Sequence, residues 1–128
     1  MRAAGVADVV ADAAEWEGQD FDLVVDYAGF GETTTKASKA VRRGGTVVLV
    51  GMGKLEFTLH TMDMILKEVR VLGSNGGTPQ DAADVYELLA SGAIEPAVTV
   101  VGFDDIPAYL DKLRAHEVSG RVVAHIAD

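Results

Sequence analysis

The sequence predicts a doubly wound α/β fold on a mostly parallel sheet, and three observations carry that prediction. Apolar, β-branched runs recur without polar alternation, as in Leu23-Val24-Val25 and Val47-Val48-Leu49-Val50, the pattern of strands covered on both faces. Segments with helical spacing separate these runs. Glycine is abundant, 14 residues against 3 prolines, and falls singly or in pairs at the ends of the runs, where strand-to-helix turns are tight.

The elements follow in order. Val6–Ala11 and Phe21–Asp26 read as strands. Glu32–Arg43 reads as a helix with Ala37, Ala40 and Val41 on one face, followed by a strand at Thr46–Gly51. Met62, Ile65, Leu66 and Val69 recur at helical spacing, so that segment is expected to bury this stripe against the sheet before a strand at Val69–Gly73. Thr78 is placed to cap the next helix, with Pro79 at its first position, Asp81 at capping-box spacing and Gly92 after its last turn. Its expected buried stripe is Ala82, Val85, Tyr86 and Leu89. A weaker strand at Ala97–Val101 leads to a helix from about Ile106 to His116, with Ile106, Tyr109, Leu110 and Leu113 aligned and Asp104 or Asp105 at its positive end. Arg121–Ile126 closes the chain as a strand. No linker or repeat interrupts the order, so residues 1–128 read as a single unit.

With 48% apolar residues the chain has enough material for a real core. Its 20 acidic against 11 basic side chains give a formal charge of −9, which repels phosphate backbones and anionic lipid, so neither nucleic acid nor a membrane is an expected partner. No run approaches the ~20 apolar residues needed to cross a bilayer, and Met1–Gly5 lacks the apolar stretch of a secretory signal. There is no cysteine, hence no disulfide and no thiolate metal site within the chain. A cytoplasmic location is the default.

In an open parallel sheet ligands bind beyond the carboxyl ends of the strands. Three of these ends are glycine-rich: Asp26-Tyr27-Ala28-Gly29-Phe30-Gly31, Gly51-Met52-Gly53, and Gly73-Ser74-Asn75-Gly76-Gly77-Thr78. Glycine there either makes a turn or lets a planar or phosphorylated ligand approach the backbone, and three such tips on one sheet edge favour a cleft.

Phe21–Gly29, Val41–Gly51 and Leu72–Thr78, followed by Ser119-Gly120-Arg121-Val122-Val123, are similar in order and spacing to consecutive blocks of the zinc-type branch of medium-chain alcohol dehydrogenases. The resemblance implies the C-terminal portion of a Rossmann-like dinucleotide-binding domain with its closing helix and strand. It implies a parent that transfers hydride between an alcohol or carbonyl substrate and NAD or NADP. By the same resemblance Tyr27, Ala28 and Phe30 border the adenosine side, and the backbone at Val50, Gly51 and Met52 faces the nicotinamide. Ser74, Asn75 and Gly76 lie near its carboxamide, and Arg121 pairs with pyrophosphate through its fork of donors. The bland alternative for Arg121 is a surface arginine in an acidic protein.

The family's first βαβ unit, with its Gly-x-Gly-x-x-Gly fingerprint, is expected upstream of this sequence. So are its zinc ligands: zinc is possible in the parent, but His60, His116 and His125 are spaced unlike a ligand set. No catalytic residue is assigned, and the isolated chain is expected to be inactive and to bind dinucleotide weakly or not at all. Lys36, Lys39, Arg42 and Arg43 read as a solvated helix face. Asp22 and Asp26 bracket a strand with no visible partner.

Without the upstream strands Phe21–Asp26 is an unpaired edge that invites pairing with another chain. The expectation is a homo-oligomer or swapped dimer, a complementing upstream chain, or a piece cut from a folded enzyme. Two alternatives stay open: a methyltransferase-like fragment binding S-adenosylmethionine, and a non-enzymatic α/β interaction domain. The first shares the strands but ends in an antiparallel hairpin; the second would have a fully covered sheet.

Overall fold

The computed structural model describes residues 6–126. The chain divides into two compact units, Met1–Gly76 and Gly77–Asp128, with the boundary inside a glycine-rich run.

The first unit runs from a 3-10 turn at Ala13–Trp16 through β1 (Phe21–Asp26), α1 (Glu32–Ala40), β2 (Val41–Leu49), α2 (Thr61–Lys67) and β3 (Arg70–Gly73). Its three strands form one parallel sheet in the order β1-β2-β3, with Val24 beside Val47 and Val47 beside Val71. Both helices contribute to one core, where Ala37, Val41, Val47 and Val69 are buried and Val24, Leu49, Met64 and Val71 pack against them. Burying Val41 and Val47 completely contributes on the order of 2 kcal/mol each. The α/β class and the parallel strand pairing read from the sequence are those of the structure.

Several expectations change within this unit. Val6–Ala11 forms no strand: the Val9 N–H bonds to the Asp8 carboxylate, and Asp12 caps the turn at Ala13–Trp16 through a capping box with Glu15. Local side-chain acceptors thus occupy the backbone where no neighbouring strand is available. The helix expected to reach Arg43 stops at Ala40, because Val41 already pairs with Phe21 in the sheet. The ladder resumes only at Leu23 with Thr46, so Arg42–Gly45 bulges out, with Gly44 at φ +71°. The bulge places Arg42 on Asp22 and Arg43 on Glu68, each at 2.6 Å, instead of on a helix face with Lys36 and Lys39. On α2 the stripe Met62, Ile65 and Leu66 lies exposed while Met64 turns inward: seven residues are too few to bury a whole amphipathic face. The sheet face opposite the core is also open, with Leu23 54% and Leu72 53% exposed, because α1 and α2 share one side.

The second unit comprises α3 (Pro79–Ala90), β4 (Val98–Gly102), a 3-10 turn at Phe103–Asp105, α4 (Ile106–Arg114) and β5 (Arg121–His125). β4 and β5 form their own parallel pair, from Val98 with Arg121 to Gly102 with His125. The capping box of α3 is as expected: Thr78 Oγ1 accepts the Asp81 N–H at 3.1 Å, and Asp81 accepts the Thr78 N–H at 2.6 Å. Asp105 accepts the Gly102 N–H, at the turn that leads into α4. The expected buried stripes are not buried: Val85, Tyr86 and Leu89 on α3 and Leu110 and Leu113 on α4 are exposed. Periodicity identifies an apolar face without identifying what covers it.

Candidate functional site

The parallel register brings the carboxyl ends of the first unit's strands level, with Asp26 beside Leu49 and Leu49 beside Gly73. Backbone hydrogen bonds join the segments beyond. The N–H groups of Val50 and Gly51 both donate to the Asp26 carbonyl, at 3.0 and 3.1 Å, and Ser74 donates to Leu49 at 2.9 Å. Gly53 and Lys54 donate to the carbonyls of Ala28 and Gly29, at 3.2 and 2.8 Å.

Such close approach explains two glycines. Gly29 sits at φ +62°, and a methyl group there would collide with the Gly51 carbonyl. At Gly53 it would strike the ring of Phe30, which lies over that position. Gly73 differs: its φ is not positive, and an added Cβ would meet nothing within 4 Å. Neither turn geometry nor packing demands glycine there, so it faces open space.

That space is an open cleft of about 410 Å³, lined by Gly51, Met52, Lys54, Gly73, Ser74 and Asn75 among others. The structure thus gathers Val50, Gly51, Met52, Ser74 and Asn75 from the expected set. Tyr27, Ala28 and Phe30 stand on the adjoining β1–α1 loop, with Tyr27 and Phe30 largely exposed, and Gly76 follows Asn75 at φ +59°. Arg121 belongs to the second unit, at the first position of β5, where its Nη1 reaches the Gly120 carbonyl at 3.4 Å.

Asp26, like Asp22 without a visible partner in the sequence, holds the first tip together. The residue is 6% exposed. Oδ1 accepts the N–H groups of Ala28 and Gly29 at 3.1 and 2.9 Å, while Oδ2 accepts the hydroxyls of Thr33 and Thr34 at 2.9 and 2.7 Å. Burial pushes this carboxyl up, but hydrogen bonds from Gly29, Thr34, Thr33 and Ala28 outweigh it and hold the group below the ordinary carboxylate range. The available signal was an Asp at a strand end, a Gly three positions on, and threonines in the next helical turn. Lys54, also on the cleft, was missed because a lysine after a glycine pair has no motif.

Among the described residues no three His, Asp or Glu side chains converge as a metal site. His60 Nδ1 lies 3.5 Å from Asp63, and His116 adopts φ +59° after α4. No helix of the described residues is long and apolar enough to cross a membrane.

The family model described as zinc-binding dehydrogenase matches residues 2–91. The chain is 34% identical over 107 residues to D-arabinose 1-dehydrogenase (NADP(+)) of Saccharolobus solfataricus, covering 84% of this chain and 31% of that protein. It is 30% identical over 120 residues to an alcohol dehydrogenase of Geobacillus stearothermophilus, covering 90% and 35%. Among solved structures, acetophenone reductase from Geotrichum candidum in complex with NAD superposes with a TM-score of 0.77 at 31% identity, over 93% of this chain and 34% of that one. The chain therefore spans about a third of the length of these relatives. A family match of this extent favours the dehydrogenase resemblance over the methyltransferase-like and interaction-domain alternatives, and the chain belongs to the zinc-binding dehydrogenase family.

Proposed function

We propose that this chain forms the nicotinamide-facing portion of the dinucleotide-binding domain in an oxidoreductase that moves hydride between an alcohol or carbonyl substrate and NAD or NADP. The observation that carries the reading is the cleft at Gly51, Gly73, Ser74 and Asn75, open where Gly73 has no packing reason to lack a side chain. A flat ring fits against such backbone. When bound, a nicotinamide supplies the hydride chemistry. Binding and orientation fall to the chain. Gly51 and Ser74 spend their N–H groups on the Asp26 and Leu49 carbonyls. Val50 likewise donates to Asp26, so hydrogen bonds to a ligand fall to the Val50 carbonyl, to the backbone of Met52 and Gly76, and to the side chains of Ser74 and Asn75, which have no hydrogen-bond partner among the described residues. Tyr27, Ala28 and Phe30 serve the adenosine side and Arg121 the pyrophosphate in this reading. The described residues do not fit zinc, because no three His, Asp or Glu side chains among them converge.

The same reading takes the protein to be cytoplasmic and to act as a homo-oligomer or swapped dimer. β1 supports the assembly, because only β2 pairs with it and its outer edge is free among the described residues.

The direct test is a two-dimensional amide NMR titration of the 128-residue chain with NADH. Millimolar NADH is expected to move the amides of Val50–Met52 and Ser74–Gly76, with no turnover of simple alcohols. Unmoved amides at both segments, or shifts confined elsewhere, would sink the reading.

A further inference from the structure

Asn75 is the only asparagine in the sequence, and Gly76 follows it directly; no Asp-Gly pair is present anywhere in the chain. The backbone is anchored on either side of this pair. The Ser74 N–H is held by the Leu49 carbonyl at 2.9 Å, and the Thr78 N–H by the Asp81 carboxylate at 2.6 Å. Between these anchors the N–H groups of Asn75, Gly76 and Gly77 have no hydrogen-bond partner among the described residues, and neither has the Asn75 side chain. All three residues are exposed and lie outside any helix or strand.

An asparagine carboxamide in a loop is commonly tied to the backbone two residues on, and here that turn is not made. Gly76 stands at φ +59°, and a Cβ built on it would meet nothing within 4 Å. Its nitrogen is therefore shielded neither by a side chain of its own nor by a neighbour. A free carboxamide one residue before an unshielded, unbonded backbone nitrogen is placed for intramolecular attack, with closure of a five-membered ring.

We propose that Asn75 is a self-modification site, whose carboxamide becomes a carboxylate in the cleft without an enzyme. The Gly76 nitrogen gives its proton to hydroxide and bonds to Asn75 Cγ. The Cγ–Nδ2 bond breaks, and ammonia leaves with a proton taken from water. A second water then opens the succinimide. Addition at Cγ restores the ordinary backbone as an aspartyl residue, while addition at the main-chain carbonyl carbon leaves the chain running through Cγ as an isoaspartyl residue. One water is consumed and one ammonia released, and nothing is oxidised or reduced. Either product sets a negative charge among Gly51, Gly73 and Ser74, in a chain that already carries −9. That charge opposes an anionic ligand. This consequence for binding rests on the nicotinamide reading; the conversion itself does not.

The test is to incubate the 128-residue chain in mildly acidic and mildly alkaline buffer, with and without millimolar NADH. The peptide carrying residue 75 is followed by mass spectrometry, with fragmentation that separates aspartyl from isoaspartyl products. Both products are expected at residue 75, forming faster in alkaline buffer because the attacking nitrogen must first lose its proton. Gly76→Ala, where a methyl crowds that nitrogen, and Asn75→Gln, which would have to close a larger ring, should convert severalfold more slowly, with the amide spectrum reporting that each is folded. A folded parent that stays intact while the urea-unfolded chain converts overturns the proposal, as does a parent no faster than Gly76→Ala. Slower conversion in the presence of NADH supports both the site and the nicotinamide reading. Conversion that proceeds equally with NADH keeps Asn75 as the modified residue and removes it from the ligand-facing set.

Discussion

The Thr34 hydroxyl donates to Asp26 Oδ2 at 2.7 Å, joining the carboxyl end of β1 to the first turn of α1. Both residues are buried, and Thr33, Ala28 and Gly29 complete the set of donors around the same carboxylate. The loop bearing Tyr27, Ala28 and Phe30 is therefore shaped by one charged acceptor, and through Gly29 it packs against Gly51 at the cleft.

Removing that acceptor strands several donors in a part-buried site. Asp26→Ala is expected to cost about 3 kcal/mol of stability and Thr34→Val about 1 kcal/mol, read from urea unfolding. Equal and small losses for the two would show that the carboxylate does not organise the loop.

The pH dependence has a definite sign. The Asp26 carboxyl is held below its ordinary 3.8 in the fold, so its stabilisation is complete above that value and is lost as pH falls through the lower folded value. The stability gap between the parent chain and Asp26→Asn should be constant at neutral pH and shrink below pH 3.8. A gap that widens on acidification would contradict the geometry.

Gly29→Ala and Gly73→Ala separate packing from function. The first forces a methyl into the Gly51 carbonyl at a positive φ and should cost about 2 kcal/mol or more. The second meets open space and should change stability by less than about 0.5 kcal/mol while weakening NADH-induced shifts at Ser74 and Asn75. Thermal melts and the same amide titration distinguish them; a destabilised Gly73→Ala would remove the case that this glycine clears room for a ligand.

In the second unit, Thr78→Ala breaks the reciprocal cap of α3 and should cost about 1 kcal/mol. Faster amide exchange at Asp81 and Ala82 in the variant is the expected sign. Unaltered exchange would mean that Asp81 alone sustains the helix start.

The free edge of β1 and the exposed Leu23 beside it should make the chain self-associate in sedimentation experiments. Leu23→Lys is expected to reduce association. A parent chain that stays monomeric at high concentration would count against pairing through this strand.

Some of this was legible along the chain because the causes are local. Phe21–Asp26 became β1 at the expected bounds, Thr78, Pro79 and Asp81 opened α3 as read, and even the weak run at Ala97–Val101 formed β4 at Val98–Gly102. Val6–Ala11 is as apolar as β1 yet forms no strand, since a strand exists only with a neighbour to accept its hydrogen bonds. Arg42 and Arg43 followed a helical pattern into a bulge because pairing of Val41 with Phe21 ends α1 early, a demand made by a residue twenty positions away. In the cleft, the glycine-rich tips were visible as composition, but Gly29, Gly53 and Gly73 look alike in sequence and differ only in what stands opposite them.

By itself the sequence determined the alternation of apolar strands and capped helices and the three glycine-rich tips, all consequences of propensity and spacing within a few residues. Only the tertiary structure decided that the tips meet at one edge, that four donors converge on Asp26, and that Asn75 lines the cleft without a hydrogen-bond partner among the described residues. Those outcomes depend on contacts between residues distant in the chain, where strand register and the exclusion of bulk choose the partners and no local pattern records the choice.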